Sequence, residues 1–213
     1  MPRAHFSHVE TWVFDLDNTL YPPEVRLFDQ IEARMTAYVM ETLGVGRSHA
    51  DHLRDHYWRL HGTTLAGLMA DHGLEPAPYL EAVHDIDLSA IAPAPALARA
   101  IAALPGRKVV YTNGSREHAR RVTAALGIAA AFDALYGVED AGFAPKPREE
   151  AFARVFAAEG LAPVRAAMFE DDVRNLEVPH RLGMRTVLVG GVAGAAHVHH
   201  RTGDLAAFLE RLA

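Results

Sequence analysis

Short apolar runs with little polar alternation recur along the chain at 9–16, 108–112, 134–137, 166–169 and 185–189, and helical segments separate them. A strand covered on one face alternates apolar and polar residues; a strand without alternation must be covered on both. That pattern predicts an α/β fold, a Rossmann-like parallel sheet with helices on both faces. The helices carry their own signals. Ser115 is placed to N-cap a helix whose Ala119, Val122 and Leu126 share one face, with Gly127 past its end. Pro147 suits the first turn of another, which buries Phe152, Val155 and Phe156 and stops at Gly160. A further helix spans 95–104 and is closed by Pro105-Gly106.

One interval does not fit simple alternation. About ninety residues separate Leu20 from Lys108, whereas a single crossover needs only about a dozen or slightly more. Leu27, Phe28, Ile31, Met35, Tyr38 and Val39 form an apolar stripe there. Ser48 with Asp51 resembles a helix start before 53–60, and shorter helices at 64–72 and 78–84 end at Gly73 and Asp85. We therefore expect a catalytic core of residues 1–20 and 95–213 and a small α-helical cap of residues 21–94, inserted after the first strand where a lid is useful.

Composition narrows the function. The net charge is −6 and no basic run exceeds two residues, which argues against nucleic-acid polymers and anionic membranes as partners. The chain has no cysteine, so thiol nucleophiles, thiolate metal sites and disulfides are excluded. No stretch reaches transmembrane length and the first residues lack an apolar signal core, so a cytoplasmic location is expected. Thirteen histidines are scattered; the densest group, His197, His199 and His200, reads as a solvated loop.

Four polar clusters fall at or just past strand ends, where open α/β sheets bind ligands. Asp15 and Asp17 are spaced i and i+2, so on an extended chain they share a face, and Thr19 follows. Thr112-Asn113-Gly114-Ser115 leads into a helix N-terminus, a setting that favours an anion such as phosphate. Lys146 is held between Pro145 and Pro147, a fixed point charge for a phosphate or a carboxylate. Glu170-Asp171-Asp172, with Asn175 beyond, ends the fourth run. Carboxylates and a phosphate share one edge only with a hard cation between them, and magnesium suits that ligand set.

In order and spacing these clusters resemble the motifs of the haloacid dehalogenase superfamily: Asp15-Leu16-Asp17-Asn18-Thr19, then Thr112-Asn113, Lys146-Pro147, and Glu170-Asp171 with Asn175. The resemblance implies catalysis by Asp15, Asp17, Thr112 and Lys146. Asp15 would be the nucleophile and Asp17 the proton carrier. Thr112, Asn113, Gly114 and Lys146 would bind phosphate. Asp15, Asp17 (through its carbonyl), Asp171 and Glu170 would hold Mg2+, with Asn175 and Thr19 supporting that shell and Asp172 structural. The presence of Asp17 implies phosphate-ester rather than halide chemistry.

Within the superfamily, residues 57–68 and 83–87, with Tyr21-Pro22, are similar to pyrimidine 5′-nucleotidases, although His61 stands where that branch has an aromatic residue. This implies a nucleoside 5′-monophosphate, UMP or CMP, with Tyr57, His61, Thr63 and Thr64 as contacts to base or sugar. The alternatives are a sugar phosphate or phosphoglycolate as substrate, or a phosphomutase. A receiver-type or non-catalytic phosphate-binding domain fits less well, because a receiver has no use for an insertion after its first strand.

Overall fold

A computed structural model of the chain describes residues 2–191 and 195–212. Its centre is a parallel sheet in the order β3-β2-β1-β4-β5-β6. The strands are β1 (Thr11–Phe14), β2 (Arg107–Tyr111), β3 (Ala134–Tyr136), β4 (Ala166–Glu170), β5 (Arg185–Val189) and β6 (His200–Thr202). The fold is α/β and Rossmann-like, as the apolar runs require.

Strand periodicity sorts the core into two layers. Trp12, Phe14, Val110, Ala167 and Phe169 pack on one face of the sheet. Val13, Val109, Tyr111, Ala166 and Met168 pack on the other. All four residues of β1 are buried, and Phe14 stacks on Phe169 with ring centroids 4.7 Å apart. Truncating such a ring to alanine costs about 3–5 kcal/mol. Register aligns the strand tips. Phe14 lies beside Val110 and Phe169, so Asp15, the first residue past β1, emerges level with Tyr111 and Glu170.

The helices around the sheet include α5 (Pro95–Ala102), α6 (Arg116–Ala125), α7 (Glu149–Glu159), α8 (Glu177–Arg181) and α9 (Leu205–Glu210). Ser115 caps α6 as expected, its Oγ accepting from the His118 N–H at 3.1 Å. Between β1 and β2 stand α1 (Leu27–Leu43), α2 (Arg47–His61), α3 (Thr64–His72) and α4 (Pro76–His84), packed α1 on α2 and α4, α2 on α3. Thr36 on α1 donates to Asp51 on α2 at 2.7 Å, and the Arg54 guanidinium donates to Thr36 at 2.8 Å. Arg121 of α6 donates to the carbonyls of His84 and Ile86 at 2.7 and 3.0 Å, fastening the end of α4 to the sheet domain. A cation there also complements the helix dipole. Among the described residues no helix is long and apolar enough to cross a membrane.

Several expectations need correction. Ser48 is not a cap: α2 starts at Arg47, Gly46 occupies the N-cap position, and no side chain caps it. Pro147 lies before its helix rather than in it, because α7 begins at Glu149 with Arg148 as N-cap and the Lys146–Pro147 peptide is cis. The group His197, His199, His200 is no free loop. His200 opens the edge strand β6. His199 Nδ1 lies 2.8 Å from Thr186 Oγ1, and His197 Nε2 lies 2.8 Å from the Val173 carbonyl. An edge strand beginning His-Arg-Thr carries no apolar run, which is why periodicity did not find it.

Candidate active site

The tips of β1, β2 and β4 converge on Lys146. Its ammonium lies 2.7 Å from Asp15 Oδ1, 2.7 Å from Glu170 Oε2 and 2.9 Å from the Tyr111 carbonyl. An ammonium has three hydrogens, so all are committed. Lys146 is 1 % exposed, and Asp15 and Glu170 are buried. The loop that delivers Lys146 is braced by Asn113, whose Oδ1 accepts from the Lys146 N–H at 2.8 Å and whose Nδ2 donates to the Lys146 carbonyl at 3.1 Å. The Asn113 side chain therefore holds the lysine loop.

Asp171 completes the acidic cluster: oxygens of Asp15, Glu170 and Asp171 lie within 4.8 Å of one another. Burial, followed by the charge of Glu170, pushes the Asp15 carboxyl up to about 7 despite Lys146. Burial also raises Glu170 to about 7 and Asp171 to about 6. Burial pulls Lys146 down, but Asp15 and Glu170 more than offset it and the net direction is upward. One ammonium thus stands among three carboxylates, Asp15 and Glu170 buried and Asp171 partly so, an imbalance that a divalent cation would cancel. Nearby, Asn175 Oδ1 and Thr19 Oγ1 are buried without a protein partner. An all-oxygen donor set with spare polar atoms fits a hard cation such as Mg2+. Glu170 is the most occupied of the three, since its Oε1 also accepts from the Asp172 N–H at 3.2 Å. Asp172 turns away onto Arg174 and caps the short helical turn after β4.

Asp17 stands apart from this cluster. After it, Asn18 takes a left-handed conformation (φ 60°) that turns the chain. The Asp17 Oδ1 accepts from Tyr21 Oη at 2.6 Å and faces His118 Nε2 at 2.9 Å. Burial opposes its charge, but His118 and Tyr21 hold its carboxyl below the ordinary range. His118 stacks on His84, with ring centroids 4.4 Å apart and planes 17° apart. Burial, then His118, pushes His84 down to about 3, so its ring is neutral. Gly114 lines the same cavity, and its N–H donates to Thr112 Oγ1 at 2.9 Å.

Above these residues is a cavity of about 570 Å³, within the usual range of small-molecule sites. Asp15, Asp17, Thr112, Asn113, Lys146, Glu170, Asp171 and Asn175 line its floor, and α1 to α4 supply its far wall. Thr63 and Thr64 line it; Tyr57 and His61 do not. Tyr57 is 2 % exposed, packs against Gly67 and bonds His72 Nε2 at 2.7 Å. His61 faces Asp71 at 3.8 Å. Both turn into the packing of α2 on α3. Gly62 (φ +89°) brings the α2–α3 junction against Pro145, so close that an added Cβ would lie 3.2 Å from its ring.

Sequence reasoning missed several residues here. His118 lies on the buried face of α6 among Ala119, Val122 and Thr123; an ionisable group inside an apolar stripe was the available signal. Arg174 lies over the Trp58 ring at 3.8 Å, joining the loop after β4 to α2 at the cavity wall. Arg54 contributes to that wall from α2.

A parallel sheet thus carries a lysine-bridged carboxylate cluster at its strand tips, the edge where open α/β sheets bind their ligands. A family model, haloacid dehalogenase-like hydrolase, matches residues 9–183, and the chain belongs to that family. Solved structures agree on the fold. The HAD phosphatase from Thermococcus onnurineus is 18% identical, with TM-score 0.63, over 96% of this chain and 98% of its own. The HAD-hydrolase YfnB from Bacillus subtilis, bound to magnesium, is 16% identical, with TM-score 0.60 and the same coverage. The 2-haloacid dehalogenase from Pseudomonas syringae pv. Tomato is 19% identical, with TM-score 0.59, again over 96% and 98%. Phosphatases and dehalogenases thus share this architecture.

Proposed function

We propose that this protein is a magnesium-dependent phosphomonoesterase that works through an aspartyl-phosphate on Asp15, and that its substrate is a pyrimidine nucleoside 5′-monophosphate, UMP or CMP. The observation that carries the reading is the buried bridge from Lys146 to Asp15 and Glu170, with Asp171 beside it and Asp17 two residues on. In the first step an Asp15 oxygen attacks phosphorus, the ester P–O bond breaks, and the departing oxygen takes a proton from Asp17. In the second, Asp17 takes a proton from water, which attacks phosphorus and frees Asp15 and inorganic phosphate. Lys146 fixes Asp15 and offsets charge on the transferring group, while Thr112 and the backbone at Asn113 and Gly114 hold its oxygens. Asp15, Asp171 and the Asp17 carbonyl would hold Mg2+, with Glu170 ligating directly or through water; the ion supplies further charge stabilisation when bound.

A halide leaves without a proton, so a dehalogenase has no use for Asp17. Its presence at the cavity favours phosphate esters over the chemistry of the dehalogenase neighbours. We read residues 21–94 as a cap on the core of 1–20 and 95–213, with Thr63 and Thr64 facing sugar or base. The cations on the cavity wall are already matched: Arg54 with Glu32 and Asp51, Arg174 with Asp172. A substrate with a second anionic group, such as phosphoglycolate, would compete with those carboxylates for Arg54 or Arg174, whereas a neutral nucleoside needs neither.

The test is phosphate release with magnesium from UMP, CMP, AMP, phosphoglycolate and hexose phosphates. Turnover of UMP and CMP above the rest supports the substrate; hydrolysis of sugar phosphates alone overturns it. Asp15→Asn is expected to lose activity almost completely while keeping the circular dichroism of the wild type, and retained turnover would remove Asp15 as nucleophile.

A further inference from the structure

The two groups behind Asp17 bond the same oxygen. Tyr21 Oη and His118 Nε2 both approach Oδ1, at 2.6 and 2.9 Å, and among the described residues Oδ2 has no protein hydrogen-bond partner. Asp17 lines the cavity; Tyr21 and His118 do not, and both are buried. His118 is itself immobilised. Its backbone N–H is bonded to Ser115 Oγ at 3.1 Å, its ring is stacked on His84, and Ser115 Oγ lies 3.3 Å from His84 Nδ1. The other ring nitrogen of His118, Nδ1, is buried without a partner, so the ring's side-chain hydrogen bond runs through Nε2, which faces Asp17.

We propose that Tyr21 and His118 are positioning residues that clamp Oδ1 of Asp17 and thereby assign the proton-carrying work to Oδ2. In a carboxylic acid the carbonyl oxygen accepts two hydrogen bonds and the hydroxyl oxygen donates one. Two donors on Oδ1 therefore make it the carbonyl oxygen and leave the transferable proton on Oδ2, toward the departing ester oxygen. Without the clamp the carboxyl can rotate, and either oxygen can carry the proton away from the line of transfer. General acid catalysis contributes about 10²–10⁴ in rate when the group is placed, and loss of orientation forfeits part of that factor.

The inference rests on the phosphatase reading, and leaving-group dependence tests it separately. An alkyl leaving group such as a nucleoside needs a proton to depart; p-nitrophenolate does not. The quantity to measure is kcat/KM, which covers the steps up to leaving-group departure, for UMP and for p-nitrophenyl phosphate with magnesium. The variants are Tyr21→Phe, His118→Leu and His118→Gln. Tyr21→Phe removes one oxygen and keeps the ring, so it is the variant least exposed to misfolding. Tyr21→Phe and His118→Leu are expected to lower kcat/KM for UMP about ten- to hundred-fold and for p-nitrophenyl phosphate by less than about threefold. His118→Gln, which retains a donor, is expected to recover part of the UMP rate. Equal losses on both esters, or none on either, would overturn the clamp. A wild-type protein that releases no phosphate from either ester would overturn the phosphatase reading itself, and the clamp with it.

Discussion

Replacing Lys146 with methionine removes one charge from the centre of the site while nearly keeping volume. Lys146 donates to Asp15, Glu170 and the Tyr111 carbonyl, so the variant leaves two buried carboxylates and one carbonyl without their shared donor. Breaking a buried ion pair from one side costs about 3–5 kcal/mol. The cost must depend on pH. Asp15 and Glu170 are already raised to about 7 by burial against the pull of Lys146; without it they rise further. A carboxyl raised in the folded state contributes stability below its unfolded pKa and loses it as pH rises through the folded value. The deficit of Lys146→Met relative to wild type should therefore be small near pH 5 and approach the full 3–5 kcal/mol above about pH 8. Urea unfolding in a chelator at both pH values measures it. With a slope of about 3 kcal/mol per molar, the midpoint at pH 8 drops by roughly 1–1.7 M. A deficit below about 1 kcal/mol, or one equal at both pH values, would refute the account of the lysine as the counter-charge of a buried cluster.

Other outcomes follow from the same geometry. Magnesium must displace protons from Asp15 and Asp171, raised to about 7 and 6, so its affinity by calorimetry should weaken as pH falls from 8 to 5.5; pH-independent binding would place the ion elsewhere. Tyr57→Phe breaks the bond to His72 and should cost about 0.5–1.5 kcal/mol in stability with kcat and KM unchanged, and a substrate-dependent change in KM would bring Tyr57 back to the binding surface. Gly67→Ala puts a Cβ about 2.2 Å from the Tyr57 ring and should destabilise by about 1–3 kcal/mol in thermal unfolding; a neutral effect would mean that α2 and α3 separate freely.

The strands legible from sequence were those whose burial is two-sided. The Val109-Val110-Tyr111 and Ala167-Met168-Phe169 runs need no partner residue to identify them, because burial on both faces leaves an unbroken apolar signature. The convergence of Asp15, Thr112, Lys146, Glu170 and Asp171 was legible because strand register carries chain order into space: parallel strands put their C-terminal ends on one edge. What stayed hidden depends on side-chain direction. Tyr57 and Trp58 are adjacent in the chain, yet one is sealed between α2 and α3 and the other meets Arg174 across the cavity wall. Only the rotation of α2 decides between them: Tyr57 lies on the packed side with Ala50 and Leu53, and Trp58 does not. His118 was missed for a related reason: its partner Asp17 lies 101 positions away in the chain.

The placement of α1 to α4 between β1 and β2 bears on how this architecture can vary. β1 and β2 are adjacent and parallel, so the chain must travel back the length of the sheet between them whether or not anything is inserted. The helical segment lengthens a journey that the topology already demands. Lengthening a connection is thermodynamically mild, about 0.6 kcal/mol for each doubling. A segment of different length or shape can therefore be grafted into that interval while Asp15, Lys146 and Glu170 keep their register, with the sheet edge as a fixed socket for interchangeable roofs.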